Sequence, residues 1–280
     1  KHLPEDFELL WVNDGSSDGT LSSIRELSAR DHRVKCISLS RNFGHQSALM
    51  AGMQHARGEI TVIMDGDMQH PPALIPDMLQ ALGQGYDIVS AKKTGTDDAG
   101  MLKRSGTGLF YKLVNFLSDT PIEKHVSDFR AFNTKVREAI LSLPERELFL
   151  RGLFSWIGFK QAYLPYRAPA RKHGSTKYGM IGMSRLALRG AISSGFKPIR
   201  LSLFFGSCVS IAALLYGLYA VYAHWQGRTV PGWTSTVIAI MFLGGVQLLM
   251  IGLIGEYIAS LYSEAKRRPL FLVDERINMD

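Results

Sequence analysis

Two aspartates one residue apart, Asp65 and Asp67, close the apolar run Ile60-Thr61-Val62-Ile63-Met64 in the segment Asp65-Gly66-Asp67-Met68-Gln69. The run reads as a buried strand of a parallel sheet. Ligands of open α/β sheets gather at the carboxyl ends of strands. Two carboxylates so placed can share one hard cation such as Mg²⁺ or Mn²⁺, and that cation can hold a diphosphate. The alternative is an acidic turn after a strand, with Asp serving as a turn former.

A second acidic turn points the same way. Leu9-Leu10-Trp11-Val12 is another apolar strand, and it runs into Asn13-Asp14-Gly15-Ser16-Ser17-Asp18-Gly19-Thr20. Asp14 sits at the strand tip, where a carboxylate accepts hydrogen bonds from a base or a ribose. Asp18 and Thr20 are read as caps of a helix beginning near Leu21.

These residues need a scaffold, and the pattern around them supplies one. Strands are expected at 8–12, 34–39, 60–64 and 87–90, and helices at 20–30, 45–56 and 73–83. The alternation argues for a parallel sheet with helices on its faces. Pro71-Pro72 opens the helix after the acidic pair, and Gly58 stops the one before it. Beyond residue 95 the pattern is irregular, with a helix expected at about 101–118. Cys36 and Cys208 fall in a strand and in an apolar run, and both read as small buried hydrophobes.

The chain has 280 residues, a formal charge of +7 and 46% hydrophobic content. Its apolar residues are concentrated: 201–223 and 229–255 carry no formal charge. Each run is long enough to cross a bilayer core of about 30 Å. Lys197 and Arg200 precede the first span and Lys266, Arg267 and Arg268 follow the second, while the connection holds only Arg228. Positive flanks stay inside, so both ends are expected in the cytoplasm and the short loop outside. Between them and the domain, Ile181, Leu188, Ile192 and Ile199 share one helical face beside Arg185 and Arg189, as in a helix lying at the headgroups. The basic balance suits nucleic acid or an anionic membrane surface. The basic residues cluster near the spans and no nucleic-acid motif occurs, which favours the membrane.

In order along the chain, V-N-D-G-S-S-D-G-T, Arg41-Asn42-Phe43-Gly44, D-G-D-M-Q, Ser127-Asp128-Phe129-Arg130 and two C-terminal spans resemble the family-2 nucleotide-sugar glycosyltransferases. The narrower likeness is to polyprenyl-phosphate glycosyltransferases, the bactoprenol glucosyltransferases first and dolichol-phosphate mannose synthases more distantly. The resemblance implies an α/β, GT-A-like (Rossmann-like) catalytic domain at 1–176. A juxtamembrane amphipathic helix at 177–198, two transmembrane helices within 199–262 and a cytoplasmic tail at 263–280 follow. Family members open on a strand resembling V-V-I-P-V-Y-N-E, which would precede Lys1-His2-Leu3-Pro4.

The site residues follow from the same likeness. Asp67 is the expected direct ligand of Mg²⁺ or Mn²⁺, with Asp65 and Gln69 supporting it; Gln69 as a helix cap is the alternative. His70 is set aside, because these ions prefer oxygen. Asp14, Arg41, Asp65 and Lys177 are expected at the nucleotide sugar, although Arg41 also reads as a solvated strand-end residue. Arg104 and Arg130 are expected at the acceptor phosphate. Arg171 and Ser175 join them from the segment Arg171-Lys172-His173-Gly174-Ser175-Thr176-Lys177, which resembles an R-x-x-G-x-S/T-K loop and also suits a lipid anchor. Asp128 is expected to orient a sugar hydroxyl, pair with Arg130 or act as a base.

The implied reaction is metal-dependent transfer of a hexose, glucose first, from a UDP-sugar to undecaprenyl phosphate with inversion, at the cytoplasmic face of a bacterial inner membrane. The implied setting is O-antigen or other envelope glycosylation, and the implied assembly is a homotetramer. Three rivals stand beside it. A processive synthase would want Q-x-x-R-W and more spans, another lipid-linked transferase would differ only in its sugar, and a membrane scaffold would need no metal.

Overall fold

The computed structural model describes residues 6–94, 126–145, 149–167, 197–227 and 232–279. Arg104, Arg171, Ser175, Lys177, the helix expected at 101–118 and most of the interfacial helix lie outside the described residues.

Alternating strands and helices fill the first part of the chain. They are β1 (Leu9–Asn13), α1 (Thr20–Arg30), β2 (Val34–Leu39), α2 (His45–His55), β3 (Ile60–Ile63), α3 (Ile75–Gly83) and β4 (Ile88–Lys93). A 3₁₀ turn, Pro72–Leu74, takes the first part of the helix expected at 73–83. Pro76 also falls in the opening turn of α3, where a missing N–H costs no helical bond. Then come β5 (Val126–Asn133), α4 (Thr134–Ser142), α5 (Leu150–Trp156) and β6 (Gln161–Tyr166). Asn133 caps α4 by accepting from the Val136 amide.

The α/β reading holds, but the sheets are mixed rather than parallel throughout. One has the order β1-β2-β7 and the other β3-β5-β4-β6. The β1–β2 and β4–β6 pairs are parallel, while β5 runs antiparallel between β3 and β4. Among the described residues β1 and β3 end their sheets. The inserted β5 carries the core: Phe129, Ala131 and Phe132 are fully buried. Phe132 packs with Met50, Val136, Ile140 and Phe154, and Phe129 packs with Met78, Val89 and Tyr166 on the other side.

Two long helices follow, α6 (Lys197–Trp225) and α7 (Trp233–Ala265). Within them, Ser202–Ala223 and Ile238–Ala265 are long and apolar enough to cross a membrane, and among the described residues nothing buries them. Apolar exposure on this scale in a folded chain marks a surface made for lipid. The helices approach each other where Ser202 Oγ donates to Met250 Sδ. A Cβ at Gly244, Gly245, Gly252 or Gly255 would meet nothing, so these small positions do not pack the hairpin together. Cys36 is buried as expected, whereas Cys208 is exposed on the hairpin.

The last residues do more than trail from the hairpin. Strand β7 (Val273–Ile277) pairs antiparallel with β2, and Cys36 faces Ile277 while Leu39 faces Val273. Its burial alternates: Val273, Glu275 and Ile277 lie on the half-buried face, and Asp274 and Arg276 meet solvent. Phe271 touches two of the three core clusters. Asn278 Nδ2 donates to the carbonyls of Ser28 and Val34. The end of α7 is thereby tied to the β1–β2 sheet. Phe271→Ala is expected to lower stability by about 2 kcal/mol, the cost of removing a partly buried aromatic. Chemical unfolding in detergent measures it, and an unchanged midpoint would contradict the tie.

Candidate active site

Strand register creates the site. Ile63 of β3 faces Arg130 of β5 in an antiparallel pair. Two residues after Ile63 and two before Arg130, Asp65 therefore comes beside Asp128. The first residue of α2 bridges them: His45 Nε2 lies 3.4 Å from Asp128 Oδ2 and 3.7 Å from Asp65 Oδ1.

Asp128 is buried and heavily compensated. Arg151, from α5, donates Nε to Oδ1 at 2.9 Å and Nη2 to Oδ2 at 2.8 Å. Arg130 Nη2 stands 3.7 Å from Oδ1. Burial alone would raise the Asp128 pKa, yet the bonds from His45 and Arg151 and the two guanidinium charges outweigh it and hold the carboxyl far below its usual range. Arg130 is itself buried, stacks 4.2 Å over the Phe154 ring and donates to the Ser127 carbonyl. Burial pushes its pKa down to about 10, which leaves it charged at neutral pH. In this setting Arg130 steadies Asp128 from inside the core.

Asp65 has the opposite balance. Burial pushes its pKa up, the imidazoles of His70 and His45 pull it down, and Asp128 and Asp67 push it up again. His70 supports it from below: the Asp65 amide donates to Nδ1 at 3.0 Å. That bond places the ring proton on Nε2, which faces Ser127 Oγ at 2.6 Å. The ring is buried and stacks on Phe129 with centroids 5.1 Å apart, and burial lowers its pKa, so His70 stays neutral.

The rest of the acidic loop is open. Asp67 Oδ1 accepts from the Gln69 amide at 3.0 Å, and Met68 holds a positive φ of 62°, uncommon for a residue with a Cβ. The 3₁₀ turn that follows has Pro71 at its N-cap and no side-chain cap bond. The donor set of Asp65 and Asp67 fits a hard divalent ion. No group of three or more His, Cys, Asp or Glu forms a metal cage among the described residues. Two carboxylates completed by substrate phosphate oxygens are the ligand set that Mg²⁺ sites commonly use.

Asp14 turns inward. Its two oxygens accept from the Phe43 and Gly44 amides at 2.7 and 2.9 Å. Gly15, at φ 64°, lets the loops close up: a Cβ there would run into the backbone of Arg41 and Asn42. Asn13 adds a bond to Ser38 Oγ at 3.0 Å. Arg41 lies over the Phe43 ring, 4.1 Å from its centroid. Asp14 thus ties the Arg41–Gly44 loop to β1 and sets where α2, and so His45, begins. Asp18 behaves as a cap, accepting from the Thr20 amide at 3.0 Å.

Sequence reasoning missed His45, His70, Ser127 and Arg151 as site residues. One signal was available: Arg151 is the only charge in the apolar stretch 148–159.

Comparison with known proteins places the chain in a family. The family model described as glycosyl transferase family 2 matches residues 1–141, and a GtrB C-terminal hairpin model matches residues 197–261. The chain belongs to glycosyl transferase family 2. It is a glycosyltransferase, and the GT-A-like reading of its α/β domain stands with that family. Relatives include a prophage bactoprenol glucosyl transferase homolog of Escherichia coli K12, 38% identical over 95% of this chain and 87% of that one. The bactoprenol glucosyl transferase of Shigella phage SfV is 38% identical over 96% and 88%. The glycosyltransferase YkcC of Bacillus subtilis is 38% identical over 99% and 86%.

His45 gives the site a pH signature. Its bond to Asp128 raises its pKa against the opposing effect of burial. A raised folded-state value means that the charged imidazole stabilises the fold below its unfolded pKa of about 6.5, and the contribution fades as pH rises through the folded value. The stability advantage of wild type over His45→Gln is therefore expected to be larger at pH 6 than at pH 9. Thermal unfolding at the two pH values checks the sign, and an equal difference would contradict it.

Proposed function

We propose that this enzyme transfers a hexose, glucose first, from a UDP-sugar to a polyprenyl phosphate at the cytoplasmic face of a bacterial inner membrane. The observation that carries the reading is the cluster at the ends of β3 and β5, where acidic and basic groups meet across His45, in a chain that also bears two membrane-length apolar helices. Its bactoprenol-named relatives, similar over nearly the whole chain, support the lipid phosphate as acceptor. The basic flanks, Lys197 on one side and Lys266 to Arg268 on the other, support a cytoplasmic domain beneath the hairpin. The exposed glycines of α7 suit packing between subunits, in keeping with a homotetramer.

Each group then has a task. Asp65 and Asp67 would hold a Mg²⁺ or Mn²⁺ ion, which would supply charge neutralisation for the departing nucleoside diphosphate. His70 fixes the Asp65 backbone, so the carboxylate is aimed before substrate arrives. Asp14 holds the Arg41 loop beside the nucleoside end. The acceptor phosphate is ionised at neutral pH, so its oxygen attacks the anomeric carbon once positioned. Displacement from the face opposite the diphosphate inverts that centre.

The test is transfer of radiolabel from UDP-glucose, UDP-galactose or GDP-mannose into the lipid fraction, with undecaprenyl phosphate and Mn²⁺, with and without EDTA. EDTA-sensitive labelling from UDP-glucose is expected. Asp67→Ala is expected to reduce it by about 100-fold or more, the scale of a lost metal ligand. Full activity in that variant would contradict the metal assignment, and labelling from another donor would reassign the sugar.

A further inference from the structure

We propose that Arg151 is the fork that receives the acceptor's phosphate, and that Asp128 holds this fork in place rather than removing a proton. The inference rests on the transfer reading above and assigns a residue that reading leaves open.

The bonding of Asp128 argues first. Both of its oxygens accept from Arg151, one of them has His45 Nε2 at 3.4 Å, and the other has Arg130 Nη2 at 3.7 Å. A general base needs a lone pair aimed at its proton from about 2.6–3.2 Å. The Asp128 side chain is only 7% exposed, and its oxygens already face cations.

The chemistry argues next. A phosphate monoester at neutral pH has no proton on its attacking oxygen. That oxygen forms the new bond to the anomeric carbon while the bond from this carbon to the diphosphate oxygen breaks. The electron pair leaves with the nucleoside diphosphate, and no proton moves. What the acceptor needs is a cation in a fixed place. A bare carboxylate would repel it, but Asp128 with Arg130 and Arg151 sums to a positive cluster.

Accessibility and position select the residue. Arg130 is 3% exposed and Arg151 is 40% exposed. The planar guanidinium suits phosphate oxygens. Arg151 is also one imidazole away from the cation-side carboxylate, since His45 touches both Asp128 and Asp65. An acceptor oxygen must reach within about 3–3.5 Å of the sugar carbon that the diphosphate carries, so the two phosphate stations must be neighbours.

The experiment is steady-state transfer by the full-length enzyme in detergent, with UDP-glucose and a short-chain polyprenyl phosphate. Wild type, Arg151→Ala, Arg151→Lys, Asp128→Asn and the Arg151→Ala/Asp128→Asn double variant are compared. Arg151→Ala is expected to raise the acceptor KM by about tenfold or more, the scale of one charge-assisted bond. Its donor KM is expected to stay within about twofold, which also reports an intact fold. Arg151→Lys should recover part of the acceptor affinity, having charge without the fork. Asp128→Asn should raise the acceptor KM likewise, and the double variant should be no worse than Arg151→Ala, as expected of residues acting as a unit. An unchanged acceptor KM in Arg151→Ala, or a raised donor KM instead, overturns the assignment. So does an Asp128→Asn enzyme that loses kcat while its acceptor KM is intact. Wild-type enzyme that labels no lipid from any donor overturns the transfer reading and this assignment with it. Labelled lipid with unaltered Arg151→Ala kinetics overturns the assignment alone.

Discussion

A buried carboxylate stays ionised only where cations surround it, and Asp128 is the point on which the site depends. Its partners come from three elements. His45 begins α2, Arg151 lies on α5, and Arg130 follows it on β5. Each partner is tied down in turn, Arg130 by the Phe154 ring and the Ser127 carbonyl, and α2 by the loop that Asp14 grips. Removing Asp128 would leave two guanidiniums close together with no counter-charge, and the ends of α2, β5 and α5 would lose their common anchor.

Around this anchor the carboxylates divide. Asp128 is satisfied by the protein itself. Asp65 is less so: burial raises its pKa despite its two imidazole neighbours. A protein-compensated carboxylate beside one whose charge is disfavoured by burial is the arrangement expected of a site that receives a cation together with an anionic substrate. The C-terminal strand extends the same logic to the whole chain. By pairing with β2, β7 brings the chain back onto the sheet after the long apolar helices.

Much of this was legible in the amino-acid sequence, and the limits have physical causes. Asp65 and Asp67 could be found because their meaning is local, two carboxylates directly after an apolar run. The alternation through residue 90 gave the first strands and helices nearly to the residue. Strand direction was not legible, because a buried strand has the same apolar pattern whether its neighbour is parallel or antiparallel. The place of β5 between β3 and β4 was therefore invisible, and with it the meeting of Asp65 and Asp128. His45 went unread, and His70 was weighed only as a metal ligand, because a histidine's role depends on which groups fold against it. The bonds that Asp14 accepts were not legible, because its two backbone partners lie in a different loop. Strand β7 was not legible, because Val273-Asp274-Glu275-Arg276-Ile277 sets three consecutive charges between two apolar residues and so lacks the period-2 pattern of a strand.

The central claim is that Asp65 and Asp67 form a cation site that a diphosphate completes. Mn²⁺ binding measured by electron paramagnetic resonance, with and without UDP, tests it most directly. The account predicts weak Mn²⁺ binding by the protein alone and markedly tighter binding with UDP. Mn²⁺ held equally well without UDP, or unaffected by it, would contradict the account.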